Sequence, residues 1–150
     1  MLRVSRLTDY ATLVMTCLAD QPGSVVSAAQ VAESTRLEAP TVSKLLKLLG
    51  HAGLVDSFRG VAGGYRLARA ADSISVADVV EAVEGPIGMT DCGIGNCDRE
   101  SHCSVRGNWQ RINAAVAAAL RSVSIAEMAA PPPAVVSVPV AAVRRANSRT

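Results

Sequence analysis

Between residues 27 and 67 the chain sets two short helical patterns, a tight turn and a glycine-rich hairpin in immediate succession, an order that few folds accept. Ser27-Ala28-Ala29-Gln30 fits a capping box, in which serine and glutamine side chains satisfy each other's backbone N–H groups. A short helix follows to about Ser34, and Thr35-Arg36-Leu37-Glu38 reads as a turn. Pro40 then suits the first position of a new helix, where its missing N–H is not needed. That helix carries Val42, Leu45, Leu46 and Leu49 on one side and Thr41, Ser43, Lys44, Lys47 and His51 on the others, until Gly53 ends it. Leu54–Phe58 alternates like a strand, Arg59-Gly60-Val61-Ala62-Gly63-Gly64 is a turn, and Tyr65–Ala68 is a second strand. A helix-turn-helix followed at once by a basic hairpin predicts a winged helix.

The flanking segments extend this core. Leu7, Tyr10, Ala11, Val14, Cys17 and Leu18 form one apolar helical stripe, with Thr8 as its candidate N-cap and Gln21-Pro22-Gly23 as its stop. Cys17 on that stripe reads as a small core residue. Ser75 and Asp78 cap a helix containing Val76, Val79, Val80 and Val83, which Gly85-Pro86 ends. Beyond an irregular loop, Val105, Trp109, Ile112, Val116, Leu120 and Val123 form a seam like that of a coiled coil, and Ser124 with Glu127 caps a last short turn. Pro131-Pro132-Pro133, Pro139 and Arg144-Arg145 indicate a mobile tail. The expected fold is mainly α: a winged helix-turn-helix with a two-stranded wing and a long C-terminal dimerisation helix. Four segments follow: a DNA-binding domain over 1–85, a cysteine loop over 86–103, the dimerisation helix over 104–129 and the tail over 130–150.

Composition narrows the function. The 150 residues are 49% hydrophobic and 19% charged, unlike a disordered chain. Aromatic residues are 3%, too few to stack a series of single-stranded bases. The longest uncharged stretch, Met128 to Val143, holds four prolines and falls short of the ~20 residues that a membrane span needs. Arg3, Arg6 and Asp9 interrupt any leader-like start, so a soluble intracellular protein is expected. Net charge is only +2, but residues 1–70 carry eight basic and five acidic side chains, whereas residues 71–100 carry one and seven. The basic first segment suits phosphate. No HExxH, GxSxG or GxGxxG motif is present and there are only two histidines, so neither an enzyme nor a small-molecule substrate is expected.

A winged helix reads duplex DNA by laying one helix in the major groove, about 12 Å wide. Thr41, Ser43 and Lys44 occupy the first turns of the candidate recognition helix, the end that meets bases, and Lys47 one turn on suits phosphate. Ser27 and Gln30 can donate to the DNA backbone. Arg59 at the wing suits phosphate or a narrow minor groove, with Arg66 assisting, and Arg3 and Arg6 can touch phosphate. Gly60, Gly63 and Gly64 read as having little packing use and as suiting close approach to a DNA backbone. The bland alternative is a solvated basic face. A two-fold dimer through the long helix would set two recognition helices about 34 Å apart, one per major groove. The competing reading packs that seam on the chain's own first helix, and both can hold.

Cys92, Cys97 and Cys103 give a C-x4-C-x5-C pattern. Zinc sites usually pair ligands as C-x2-C. Longer spacings on a glycine-rich loop suit a larger inorganic core, and thiolates suit iron–sulphide chemistry, so the spacing favours an iron–sulphur cluster over zinc. Free or redox-paired thiols remain the third reading.

Arg6-Leu7-Thr8-Asp9-Tyr10-Ala11, the wing Arg59–Leu67, Val83-Glu84-Gly85-Pro86, the three-cysteine loop and Trp109 together resemble the IscR and NsrR group of bacterial winged-helix regulators, the Rrf-type family. More narrowly, the chain is similar to regulators of the Suf iron–sulphur assembly system. The resemblance covers roughly residues 1–129. It implies a homodimer that binds double-stranded promoter DNA and senses an iron–sulphur cluster, of two-iron or four-iron type, on Cys92, Cys97 and Cys103, so that occupancy changes affinity for promoters of Suf or Isc assembly genes. Some members supply a fourth ligand, a His, where this chain has Arg106. Others use an Asp at the place of Asp9, reaching over from the partner chain, and Asp9 is the expected ligand here. His102, beside Cys103, reads as a solvated side chain. The alternatives are a regulator of the same family that responds to nitric oxide or redox state, and a zinc or redox metalloprotein without gene control.

Overall fold

The computed structural model describes residues 3–91, 95 and 102–131. Helix α1 (Arg6–Ala19) is followed by α2 (Ala28–Thr35) and α3 (Ala39–His51), then by strands β1 (Val55–Phe58) and β2 (Gly64–Leu67). A 3-10 turn at Ala71–Ser73 leads to α4 (Val76–Glu84), α5 (Arg106–Arg121) and α6 (Ile125–Ala129). The order is that of a winged helix-turn-helix with a C-terminal helix, as the sequence indicated.

Local chemistry sets the boundaries. Ser27, Ser75 and Ser124 each form a capping box, with Gln30, Asp78 and Glu127 respectively. At α1 the cap is Ser5 rather than Thr8: the Thr8 N–H donates to Ser5 Oγ at 3.2 Å, and Thr8 is buried inside the first turn. Arg36 closes α2 in the left-handed region at φ 56°, which makes the tight turn into α3. Pro40 lies in the first turn of α3, as its missing donor allows.

The core lies between α1, α2, α3 and α4. Val14, Met15, Val31, Val42, Leu45, Leu49, Ile74 and Val79 are fully buried there. Ile125 of α6 joins the same cluster, because α6 packs on α1. A two-bond bridge brings it in: Val76 N–H donates to the Val123 carbonyl at 2.9 Å and Ile125 N–H to the Ile74 carbonyl at 2.8 Å. β1 and β2 are antiparallel, with Val55 opposite Leu67 and Phe58 opposite Gly64. On its other edge β2 bonds Val26, through Tyr65 N–H to Val26 O at 2.7 Å and Val26 N–H to Tyr65 O at 2.8 Å. The wing is thereby fixed to the residue preceding the α2 cap.

The seam read along the long helix divides in two. Trp109, Val116 and Leu120 are half-buried, with Asn113 and Ala117 buried between them, and α5 packs on α4 rather than on α1. Val105 and Ile112 lie outward, 48% and 43% exposed. At 3.6 residues per turn, Val105 and Ile112 lie roughly 80–100° around the helix axis from the buried Asn113, an offset that a heptad reading merges into one seam. Among the described residues no helix is long and apolar enough to cross a membrane.

Candidate nucleic-acid interface and metal centre

Burial of Val42, Leu45, Leu46 and Leu49 fixes how α3 is turned. At about 100° per residue, Pro40, Ser43, Lys44, Lys47 and His51 then fall on the outward side. Ser43, Lys44, Lys47 and His51 are exposed, and Thr41 is half-buried at the edge of that face. Arg59 is exposed in the wing turn. Arg69 pairs with Asp78 and Arg121 with Glu81 elsewhere, whereas Lys44, Lys47 and Arg59 form no ion pair with a described residue. Their charge is therefore uncommitted.

Between the end of α3 and the wing lies a cleft of about 610 Å³, lined by Lys47, His51, Ser57, Phe58 and Arg66 among others. Arg66 is half-buried, opposite Asp56 in the ladder, with its guanidinium carbon 4.7 Å from the centroid of the Phe58 ring. The ring face holds this cation along the wing. His51 was not among the residues the sequence singled out for DNA. Its spacing of four from Lys47 was the available signal, since that places both on one helical face.

Ser27 and Gln30 stand beside this surface with part of their capacity spent. Gln30 Oε1 accepts from Ser27 N–H at 2.9 Å, and Ser27 Oγ accepts from Gln30 N–H at 3.2 Å. The Ser27 hydroxyl proton and the Gln30 amide protons are left for another acceptor.

The wing glycines have a different use from the one read in the sequence. A Cβ on Gly64 would lie 2.6 Å from the Val26 carbonyl carbon and 2.9 Å from Ser27 N. A Cβ on Gly63 would lie 2.5 Å from the Phe58 oxygen and 2.8 Å from that of Gly60. Both glycines are needed by the chain's own packing. Gly60 has open space around it and serves its φ of +109°.

Asp9 is exposed on the first turn of α1, in a groove of about 410 Å³ that Arg3, Arg6, Val80, Leu120 and Met128 help to line. The start of α1 is tied to the end of α4. Glu84 Oε1 accepts from Ser5 N–H at 3.1 Å and from the Thr8 hydroxyl, and these bonds hold the Glu84 carboxyl below the usual range. Cys17 is half-buried against the core; burial pushes its thiol up, against a hydrogen bond from Ser34.

Cys92 and Cys97 lie outside the described residues. Cys103 is half-buried and precedes α5, its carbonyl accepting from Arg106 N–H at 3.3 Å. His102 is exposed. Among the described residues no group of three His, Cys, Asp or Glu side chains gathers. On the other flank, Met89 N–H donates to Asn113 Oδ1 of α5 at 2.8 Å, so the segment leaving α4 is fastened to α5 before the first cysteine.

Comparison with known proteins agrees with this architecture. Residues 4–131 match the family model Rrf2, described as an iron-dependent transcriptional regulator. The HTH-type transcriptional regulator IscR of Cereibacter sphaeroides is 38% identical over 97 residues, 63% of each chain. CymR of B. subtilis, described as its global cysteine regulator, superposes with a TM-score of 0.69 at 31% identity, covering 86% of this chain and 97% of that one. IscR of T. potens gives 0.65 at 30% identity and 85% of each chain. These relatives are transcriptional regulators, not enzymes. The chain belongs to the Rrf2 family of transcriptional regulators.

Proposed function

We propose that this regulator is a homodimer that senses an iron–sulphur cluster and so controls promoters in the bacterial cytoplasm, those of Suf or Isc cluster-assembly genes in the first place. The observation that carries the reading is the trio Cys92, Cys97 and Cys103, within twelve residues, between α4 and α5 of an Rrf2 head. The donor set fits such a group: thiolates are the soft ligands that iron–sulphur clusters take. Asp9 of a second copy is the proposed fourth ligand, consistent with its exposure. When bound, the cluster would supply a core that is lost or altered on iron starvation or oxidation.

The chain's own residues do the rest. Lys44 and Ser43 with Thr41 face bases, and Lys47, Arg59, Arg66, Ser27 and Gln30 hold phosphates. The exposed Val105 and Ile112, beside Asn108, Arg111 and Ala115, offer α5 of one copy a surface for the other. With a cluster bound, Cys92, Cys97 and Cys103 would tie the end of α4 to the start of α5 and so favour the setting of the two heads that fits the operator.

Anaerobic purification with an absorption spectrum and iron and sulphide counts tests the centre, and gel shifts of wild type and Cys97→Ala test the coupling. Visible absorption that Cys97→Ala lacks, together with operator affinity that changes with occupancy, is expected. Protein that stays colourless and iron-poor after reconstitution with ferrous iron and sulphide refutes the cluster. The likeness to Staphylococcus aureus CymR, whose structure is described as an oxidized form, favours a second reading, in which the cysteines act as redox-responsive thiols. Iron-free protein whose operator affinity follows thiol oxidation would establish it.

A further inference from the structure

Thr8 and Asn113 are the buried polar residues among those described. Thr8 belongs to the α1 cap. Asn113 is 8% exposed in the middle of α5, on the face that packs against α4, between Trp109 and Ala117. Its Oδ1 accepts from Met89 N–H at 2.8 Å, and that bond fixes the orientation of the amide. Its Nδ2 is buried without a hydrogen-bond partner. Two costs therefore meet at one position. Asn is a poor residue for a helix interior, and a buried donor left unpaired loses its water without compensation. A leucine would suit both the helix and the apolar interface better. What Asn113 gives in return is one long-range bond, to a backbone amide three residues before Cys92.

We propose that Asn113 is a positioning residue: it fastens the start of the cysteine-bearing segment to α5, so that whatever the three cysteines hold is referred to the dimer helix. The proposal rests on the sensing role assigned to those cysteines above. The segment is then held from both flanks, by Met89 on Asn113 and by the short step from Cys103 into α5. A change in the cysteines is delivered to α5 and not absorbed by slack chain. The bond spans 24 residues of sequence, which is why no periodic pattern announces it.

The test compares the full-length reduced chain with Asn113→Leu and Met89→Pro, which remove the acceptor and the donor of the same bond from opposite sides. In metal-free protein, exchange of the Met89 amide should be roughly tenfold faster in Asn113→Leu, the scale that one hydrogen bond carries. Alkylation of the three cysteines should be at least about threefold faster in both variants, and the double variant should add nothing to either single one. The thermal midpoint of Asn113→Leu should equal or exceed that of wild type, because the unpaired amide is gone. An unchanged Met89 exchange rate would overturn the proposal. So would a lowered midpoint with unchanged alkylation, which marks a merely structural role. Should Asn113→Leu fail to fold, Met89→Pro leaves α5 intact and its alkylation rates decide. These arms need no metal, so a wild-type protein that refuses iron would reject the cluster and leave the positioning result standing.

Discussion

Replacing Gly64 by alanine tests how the wing is mounted. The added Cβ would sit 2.6 Å from the Val26 carbonyl carbon and 2.9 Å from Ser27 N, both rigid backbone, and needs about 0.8 Å more room to reach ordinary contact near 3.4 Å. No side-chain rotation supplies it, so β2 must move away from Val26. The two bonds that join them, now 2.7 and 2.8 Å, would stretch to about 3.5 Å and be lost as hydrogen bonds. Each is worth about 1 kcal/mol net, and overpacking costs about 1–3 kcal/mol more, so with partial relaxation the loss is about 2–4 kcal/mol. For a domain of this size that lowers the thermal midpoint by roughly 10 °C. Urea denaturation followed by circular dichroism measures it, with Gly60→Ala as the comparison, because that glycine has open space and only backbone strain to lose. DNA affinity should fall with Gly64→Ala as Arg59 shifts with the wing. A Gly64→Ala protein within about 0.5 kcal/mol of wild type would refute the close-approach argument.

Three further outcomes are expected. Single alanine substitutions at Lys44, Lys47 and Arg59 should each weaken operator binding; loss of a phosphate contact should lower the slope of log affinity against log salt by about 0.9, whereas loss of a base contact should erode sequence preference at one position, as fluorescence anisotropy over a salt series will show. Glu84→Gln should remove part of the acid sensitivity of folding: the folded Glu84 pKa lies below 4.5, so its stabilisation is complete above that pH and vanishes as pH falls through the lowered value. Thermal midpoints of wild type and variant should then converge on acidification, and parallel curves would contradict the Ser5 and Thr8 bonds. Arg36→Gly should raise the midpoint by a few degrees, because a left-handed arginine costs about 1–2 kcal/mol, part of it returned as glycine's greater freedom when unfolded.

The sequence made the head legible because its signals are local. Capping boxes at Ser27, Ser75 and Ser124 are four-residue patterns, and the apolar spacing of Val42, Leu45, Leu46 and Leu49 fixes which side of α3 carries Lys44 and Lys47. What stayed hidden depends on tertiary approach. Gly63 and Gly64 look spare until β2 is seen against Val26 and the hairpin against Phe58. Thr8 looks like a cap until Glu84, 76 residues away, is seen to hold it beside Ser5. The α5 seam looked continuous because residues at heptad spacing drift around a straight helix, and the buried Asn113 has the wrong polarity for any apolar pattern.

Ile125 fills the centre of the DNA-binding head although 40 residues separate it from Gly85 at the end of α4. During synthesis the head therefore remains unplugged until the ribosome has passed α6, and at about 5–20 residues per second that delay lasts several seconds. A nascent or prematurely terminated chain lacking Ile125 leaves a hole in its interior large enough to cost about 2–5 kcal/mol. Such fragments are expected to be poor competitors for promoters and good substrates for proteases, so the regulator becomes competent for DNA only when α5 and α6 have also been made.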